Sequence, residues 1–386
     1  MVIGIPREIL SHENRVAALP DAVAKYIGLG FKALVESGAG DGALHYDDEY
    51  RQAGAEIVSG PDELYSRADI VLKVKQPCRC EETGRDEAEM LREGSTLVTF
   101  LHPANPAHHA MIRTLRDRNI TSFTMDGVPR TSRAQRMDAL TSMSTITGYK
   151  AVIMAACHFP KFIPMIGTAI GVVKPAKCLI VGCGVVGLQA VATAKRLGAS
   201  VKAVDIRKDA RENAASVGAK IAGFDAPEEI ALGEGGYAKA LPADWLEKER
   251  ESIRPHVEEA DIVILSALVP GEVAPTLITE QMIINMAPGS VIVDVSIDQG
   301  GNCALTEPGK EILRHKALIS GVQNIPGSVP VHASWLYSNN LLEYVKNLYK
   351  NGIGNPDMED DIVRETLVTM NGKIHHRGAL KAMGIS

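Results

Sequence analysis

Four polar residues have the types and sequence settings needed to move hydride and a proton at the carbon of a small amino acid. They are Arg15 in Glu-Asn-Arg-Val-Ala, Lys75 closing Val71-Leu-Lys-Val-Lys75-Gln-Pro, His102 closing Leu97-Val-Thr-Phe-Leu-His-Pro, and Asp298 in Ser296-Ile-Asp-Gln-Gly-Gly301. Arg and Lys hold a carboxylate, Arg with a fork that grips both oxygens. A histidine titrating near neutrality moves the proton of an amine or carbinolamine. A carboxylate holds the ammonium and orients the attacking water. Any one of the four alone reads as an ordinary surface or hydrogen-bonded residue. Their shared placement just past apolar, strand-like runs is what points to a site.

A second stretch supplies what hydride chemistry needs, a place for a dinucleotide. Cys178–Val181 predicts a buried strand, Leu188–Leu197 a helix, and Ser200–Val204 a second strand ending on Asp205. Gly182, Gly184 and Gly187 between them form G-x-G-x-x-G. The first glycine permits the tight turn, the second lets backbone approach a pyrophosphate, and the third lets helix and strand pack closely. The helix N-terminus offers free N–H groups and a positive dipole end to the phosphates. Asp205 stands where an acid meets the ribose hydroxyls, which favours NAD over NADP. Val185 and Val186 inside the turn, with Ile206 and Arg207 after the acid, complete this candidate cofactor segment.

The elements that must position these groups alternate strand and helix. Before residue 126, strand runs at Val2–Ile5, Phe31–Glu36, Asp69–Val74, Thr96–Leu101 and Ile120–Met125 are separated by helical patterns. Such alternation predicts a mostly parallel sheet covered on both faces. The first turn here lacks a glycine fingerprint, so a ligand other than a dinucleotide is expected. A polar, Arg-rich connector, Gly127–Met143, leads to a helix over Ser144–His158. Later strands are expected at Asp261–Leu265, Val291–Val295 and Leu318–Val322, with ligands beyond their carboxyl ends. The expected fold class is α/β: two Rossmann-like doubly wound domains with a cleft between them, and a C-terminal segment returning to the first. The divisions are residues 1–143 plus 331–386 for substrate and 144–330 for NAD. Residues 225–255, with Gly-Glu-Gly-Gly-Tyr-Ala-Lys at 233–239 and a charged helical run at Trp245–Ile253, read as a mobile loop hinged on glycines. Val363–Met370 and Lys373–His375 resemble strands. His108-His109 and His375-His376 read as solvated pairs.

Composition narrows the function class. A formal charge of -6 over 386 residues, without dense Lys/Arg tracts, argues against nucleic acid. Six scattered cysteines do not form a disulfide framework and fit a reducing, cytoplasmic setting. Cys78-Arg-Cys80 lacks a second ligand cluster, so no metal is expected. The N-terminus has no signal-peptide pattern, and Ala151–Val173 is too interrupted by His158, Pro160, Lys161 and Pro164 to span a bilayer. No Ser-His-Asp, Cys-His or zinc-helix pattern occurs.

Over essentially its whole length the chain resembles the alanine dehydrogenase/transhydrogenase family. Its general wording is similar to the NAD(H)-binding domain of proton-translocating transhydrogenase: Gly-Tyr-Lys-Ala-Val (148–152), Pro-Ala-Lys (175–177), Gly-Gly-Tyr-Ala-Lys (235–239) and Ala-Leu-Val-Pro-Gly (267–271). Pro-Arg-Thr-Ser-Arg-Ala-Gln-Arg-Met-Asp (129–138) matches that family's nucleotide-contacting loop, which implies Arg130, Gln135 and Asp138 as NAD ligands. Tyr237 falls in its mobile loop, and Ala267, Leu268, Asn324 and Ser144 join the implied cofactor set. At the catalytic positions, Lys75, His102, Asp298 and Asn324-Ile-Pro-Gly-Ser-Val-Pro330 are instead similar to alanine dehydrogenase. There Arg15 and Lys75 would bind the substrate carboxylate, His102 would be acid/base, and Asp298 would assist at the amine. The resemblance implies an NAD-dependent deamination of a small, alanine-like L-amino acid by a homo-oligomer, dimer or hexamer. Its alternative is the soluble NAD(H)-binding alpha subunit of transhydrogenase, passing hydride to NADP on a partner subunit.

Overall fold

A computed structural model describes residues 1–233, 236–269 and 272–385. Glu234 and Gly235 of the glycine-rich run, and Pro270 and Gly271 of the 267–271 run, lie outside the described residues. The chain divides into two compact units, Met1–Met143 with Pro326–Ser386, and Ser144–Ile325. The strands in chain order are β1 (Val2–Ile5), β2 (Lys32–Glu36), β3 (Glu56–Val58), β4 (Ile70–Leu72), β5 (Thr96–Thr99) and β6 (Thr121–Thr124), then a small hairpin, β7 (Ile166–Thr168) and β8 (Gly171–Val173). There follow β9 (Lys177–Val181), β10 (Ser200–Val204), β11 (Lys220–Ile221), β12 (Ile262–Leu265), β13 (Val291–Asp294), β14 (Glu311–Arg314) and β15 (Ala317–Ser320). Last come β16 (Leu367–Met370) and β17 (Lys373–Ile374).

In the first unit the sheet order is β17-β16-β6-β5-β4-β1-β2-β3. Strands β1 to β6 pair in parallel, and β16 and β17 add antiparallel at one edge. The chain winds outwards through β1, β2 and β3, then returns to place β4 on the other side of β1. The second unit repeats this winding with the order β11-β10-β9-β12-β13-β15-β14. Its reversal falls between β9 and β12. Helices cover both faces, so the central strands Ile-Val-Ile-Leu of β12 and Val-Ile-Val-Asp of β13 are buried throughout rather than alternating. In such sheets the ligand crevice opens at the carboxyl ends of the strands, where the winding reverses.

Several local structures differ from the sequence expectation, each for a visible reason. The helix after the connector runs Ala139–His158, because the Asp138 carboxylate accepts the Thr141 N–H at 2.8 Å and its hydroxyl at 2.6 Å, starting the helix early. The connector itself holds a 3-10 turn, Ser132–Met137. Residues 361–366 are helical, since Asp360 caps the N–H groups of Ile362 and Val363, and the strand starts only at Leu367. Within 225–255, Glu228–Ala231 is a helix the sequence did not announce, and the charged helical run expected at Trp245–Ile253 is present but longer, Ala243–Glu258, burying Ile253 and Val257. The hairpin β7–β8 had no sequence counterpart, and Ile170 at its tip is 99% exposed. Neither histidine pair is simply solvated. His109 is buried with no hydrogen-bond partner for Nε2 among the described residues, while His108 and His376 are half-buried. No helix among the described residues is long and apolar enough to cross a membrane.

Candidate functional site

The second unit's reversal point is built from backbone. Gly182 follows β9 with φ +90°, and a Cβ there would lie 2.7 Å from the carbonyl of Ser266 and the N–H of Ala267 at the end of β12. A Cβ on Gly187 would lie 1.8 Å from the Gly182 carbonyl. A Cβ on Gly184 would meet no described residue within 4 Å, and the helix Val185–Arg196 starts immediately after it. Two glycines are therefore demanded by protein packing, whereas the third lies open where a pyrophosphate would approach the helix N-terminus. The residues thus fit a dinucleotide, whose chemistry when bound is to accept or give hydride. Val185 and Val186 form the half-buried first turn of that helix. Gly148 of the long helix backs the same turn, since a Cβ there would lie 2.2 Å from the Val186 carbonyl.

Asp205 ends β10 as the fingerprint requires, but its carboxylate is already engaged. One oxygen accepts the Arg207 N–H at 2.8 Å and Nε at 3.0 Å. The other accepts the Cys183 N–H at 2.7 Å and Arg207 Nη2 at 3.0 Å. Asp205 therefore braces the glycine turn, and a ribose hydroxyl reaching it must displace an Arg207 N–H. Ile206 is half-buried, and its carbonyl, like that of Asp205, accepts from Arg211.

At the end of β12 one buried side chain takes the place of a strand. Asn302 accepts the Ala267 N–H at 2.9 Å and donates to the Ala267 carbonyl at 2.9 Å and to that of Pro275 at 2.8 Å. Asp294, fully buried at the end of β13, in turn accepts the N–H groups of Asn302 and Cys303 and both donors of Ser296. Burial raises the Asp294 carboxyl, although these hydrogen bonds act against the rise. Ala267 is thus held and Leu268 half-exposed beyond it. Asp298 lies in the exposed turn after β13, where Gln323 Nε2 donates to it at 2.6 Å. Ser144 and Tyr237 are half-buried, and Asn324 has φ +52°.

The first unit gathers the remaining candidates at the carboxyl ends of neighbouring strands. Between β1 and β4 lies a buried ion cluster. Lys73 Nζ contacts Glu87 at 2.7 Å and Glu8 at 3.5 Å, and Glu87 also accepts the Tyr65 hydroxyl at 2.6 Å. Burial raises the Glu8 carboxyl, despite Lys73 acting against it. Glu8 accepts the N–H of Val74 at 2.6 Å and of Lys75 at 3.4 Å, which fixes the backbone carrying Lys75. Arg15, 3% exposed, is clamped by Glu13 through Nε at 2.7 Å and Nη2 at 2.5 Å, with Met143 against its other nitrogen. Burial would raise the Glu13 carboxyl, but Arg15 holds it below the usual carboxylate range.

His102 follows β5 in a left-handed conformation, φ +45°, its ring stacked on Phe100. Its Nδ1 meets Asp126, just past β6, at 2.8 Å, and its backbone N–H donates to the other Asp126 oxygen at 2.8 Å. Burial would raise the Asp126 carboxyl, yet the His102 ring holds it lowered. An imidazole with Nδ1 fixed on a carboxylate keeps Nε2 for proton exchange. Arg15, Lys75 and His102 thus share one sheet edge, and Asp298 belongs to the other unit. Of the connector residues, Arg130 and Gln135 are exposed, while Asp138 spends its carboxylate capping the long helix.

Sequence reasoning missed Asp126, Asn302 and the Glu8–Lys73–Glu87 cluster. Only Asp126 had a signal, an acid directly after a strand, like Asp205. The Cys78 thiol is pushed up to about 12, first by burial and then by Glu87, so it is not a reactive thiolate.

The family model described as "Alanine dehydrogenase/PNT, N-terminal domain" matches residues 4–147, and "Alanine dehydrogenase/PNT, C-terminal domain" matches 151–377. The chain is 43% identical over 379 residues to an NAD(P) transhydrogenase subunit alpha chain of Rhodospirillum rubrum, covering 97% of this chain and 98% of that one. It is 32% identical over 394 residues to "Alanine dehydrogenase" of Bacillus subtilis strain 168, covering 100% and 95%. The crystal structure of transhydrogenase from Sinorhizobium meliloti superposes with a TM-score of 0.84 at 35% identity, covering 97% of this chain and 100% of that one. With both halves matched and relatives spanned almost end to end, the chain belongs to the alanine dehydrogenase/PNT family of oxidoreductases, built on NAD-binding Rossmann folds.

Proposed function

We propose that the chain is the NAD(H)-binding subunit of a transhydrogenase, exchanging hydride with NADP held on a partner subunit. The observation that carries this reading is the glycine turn of the second unit, open among the described residues at Gly184, in a chain more similar to a transhydrogenase alpha subunit than to an alanine dehydrogenase. In this reading the turn and helix N-terminus hold the pyrophosphate, Asp205 the ribose, and the Ala267–Leu268 segment braced by Asn302 lies beside the nicotinamide. Arg130, Gln135 and Tyr237 are proposed nucleotide contacts. The order expected from the catalytic positions is thereby reversed, and amino-acid deamination becomes the second reading. The His102–Asp126 pair favours it, because hydride passing between two nucleotides needs no proton donor, whereas deamination does. A second copy of the chain is the proposed cover for the apolar hairpin around Ile170.

Purified protein incubated with NADH and an NADP analogue of distinct absorbance should exchange hydride only after an NADP-binding subunit is added. Reduction of NAD by L-alanine with the chain alone would replace this reading with the second.

A further inference from the structure

The helix Ala243–Glu258 lies on the second sheet through Leu246, Ile253 and Val257, which pack in one core with Val204, the last residue of β10. Glu249 occupies the intervening turn of that same stripe and is 5% exposed. A carboxylate in an apolar stripe is costly unless it is paired, and Glu249 accepts no hydrogen bond from a described residue. The charges acting on it are Asp205, of like sign, and Arg250. Arg250 is turned to the Thr276 carbonyl at 2.9 Å and to Glu247 at 3.1 Å.

The corner around Asp205, whose charge acts on Glu249, is electrostatically balanced without it. In dinucleotide folds an acid after the second strand takes the ribose 2′-hydroxyl of NAD, and an arginine there takes the 2′-phosphate of NADP. This chain has both, with Asp205 cancelled by Arg207. Arg211, bonded to the Asp205 and Ile206 carbonyls and paired with Asp225, adds a second guanidinium. Such a corner would accept a 2′-phosphate.

We propose that Glu249 is a specificity-determining residue, whose uncompensated charge behind Asp205 makes the adenosine-ribose corner reject 2′-phosphorylated nucleotides. The inference rests on the reading that the second unit binds NAD(H). Burial, then Asp205, pushes the Glu249 carboxyl up to about 7, so the test is run at pH 8.5, where it is ionised.

Nucleotide fluorescence titrations give the dissociation constants of NADH and NADPH for the wild-type chain and for the isosteric Glu249→Gln. The ratio of NADPH to NADH constants should be high in the wild type and fall about tenfold in the variant, the effect of one unit charge on a nearby phosphate at intermediate dielectric. An unchanged ratio, with NADH bound by both proteins, overturns the inference and leaves the binding reading standing. A wild-type chain that binds neither nucleotide overturns both.

Discussion

Replacing Glu249 by Gln should stabilise the second unit, by an amount that depends on pH. The folded carboxyl lies at about 7 against an ordinary 4.5, chiefly because it is buried. At about 1.4 kcal/mol for each pH unit of displacement, ionising it inside the folded unit costs about 3 kcal/mol. The folded value is the higher one, so the folded protein keeps the proton between about pH 4.5 and about 7 while the unfolded chain has lost it. Stability therefore falls as pH rises through that window, and the cost is complete above it. Gln carries no such cost. The gain from Glu249→Gln should grow from about 0.8 kcal/mol at pH 5 to about 3.3 kcal/mol at pH 8, a difference of about 2.5 kcal/mol. The chain's two tryptophans make the assay specific: Trp245 lies on the helix carrying Glu249 and Trp335 in the other unit. Urea unfolding of nucleotide-free protein in a Trp335→Phe background, followed by tryptophan emission, reads the second unit alone. A gain equal at the two pH values, or a loss at pH 8, would refute the reasoning.

Other perturbations test the rest of the molecule. Gly187→Ala forces a methyl to within 1.8 Å of the Gly182 carbonyl, and should weaken NADH binding at least thirtyfold, about 2 kcal/mol; affinity within threefold of wild type, by titration, would contradict the packing argument. Lys73→Met leaves Glu8 and Glu87 buried without their cation, and should cost about 3–5 kcal/mol in denaturant unfolding of the first unit; a loss below about 1 kcal/mol would show that the acids pair elsewhere. Ile170→Glu at the hairpin tip should lower the oligomeric state measured by light scattering with little change in stability, and an unchanged mass would move the interface away from the hairpin.

What could be read from the sequence follows from where the physics is local. The glycine turn was legible because Gly182 and Gly187 answer backbone demands that no side chain meets while Gly184 keeps the approach to the helix open, and the strand-helix-strand frame around it was legible from its apolar runs. The doubly wound α/β class followed from uninterrupted apolar strands such as Ile262–Leu265. Asp205 was legible by its offset, but not the Arg207 clamp that fills its acceptors, since a salt bridge leaves no periodic trace. Lys75 drew attention and Lys73 did not, although both lie in the same run. Only the neighbouring strand, which brings Glu8 beside it, shows that Lys73 is the buried counter-ion. Asn302 was invisible for the same reason, acting on a residue 35 positions away. Asp126, though an acid placed directly after a strand, acts on His102, 24 positions away, a pairing the sequence does not show. Caps explain the boundary errors, because one Asp at 138 and another at 360 begin helices that the apolar pattern alone does not announce.

The ion cluster between β1 and β4 has a consequence for stoichiometry. Both sheets reverse their winding next to their first strand, and each reversal leaves a hollow that could admit a nucleotide. In the second unit that hollow is floored by peptide groups and bare glycine. In the first, Glu8, Lys73, Glu87 and the Tyr65 hydroxyl fill it with the protein's own charges, already satisfied by one another. An architecture duplicated in outline is thus single in capacity, and calorimetry should count one dinucleotide for each chain.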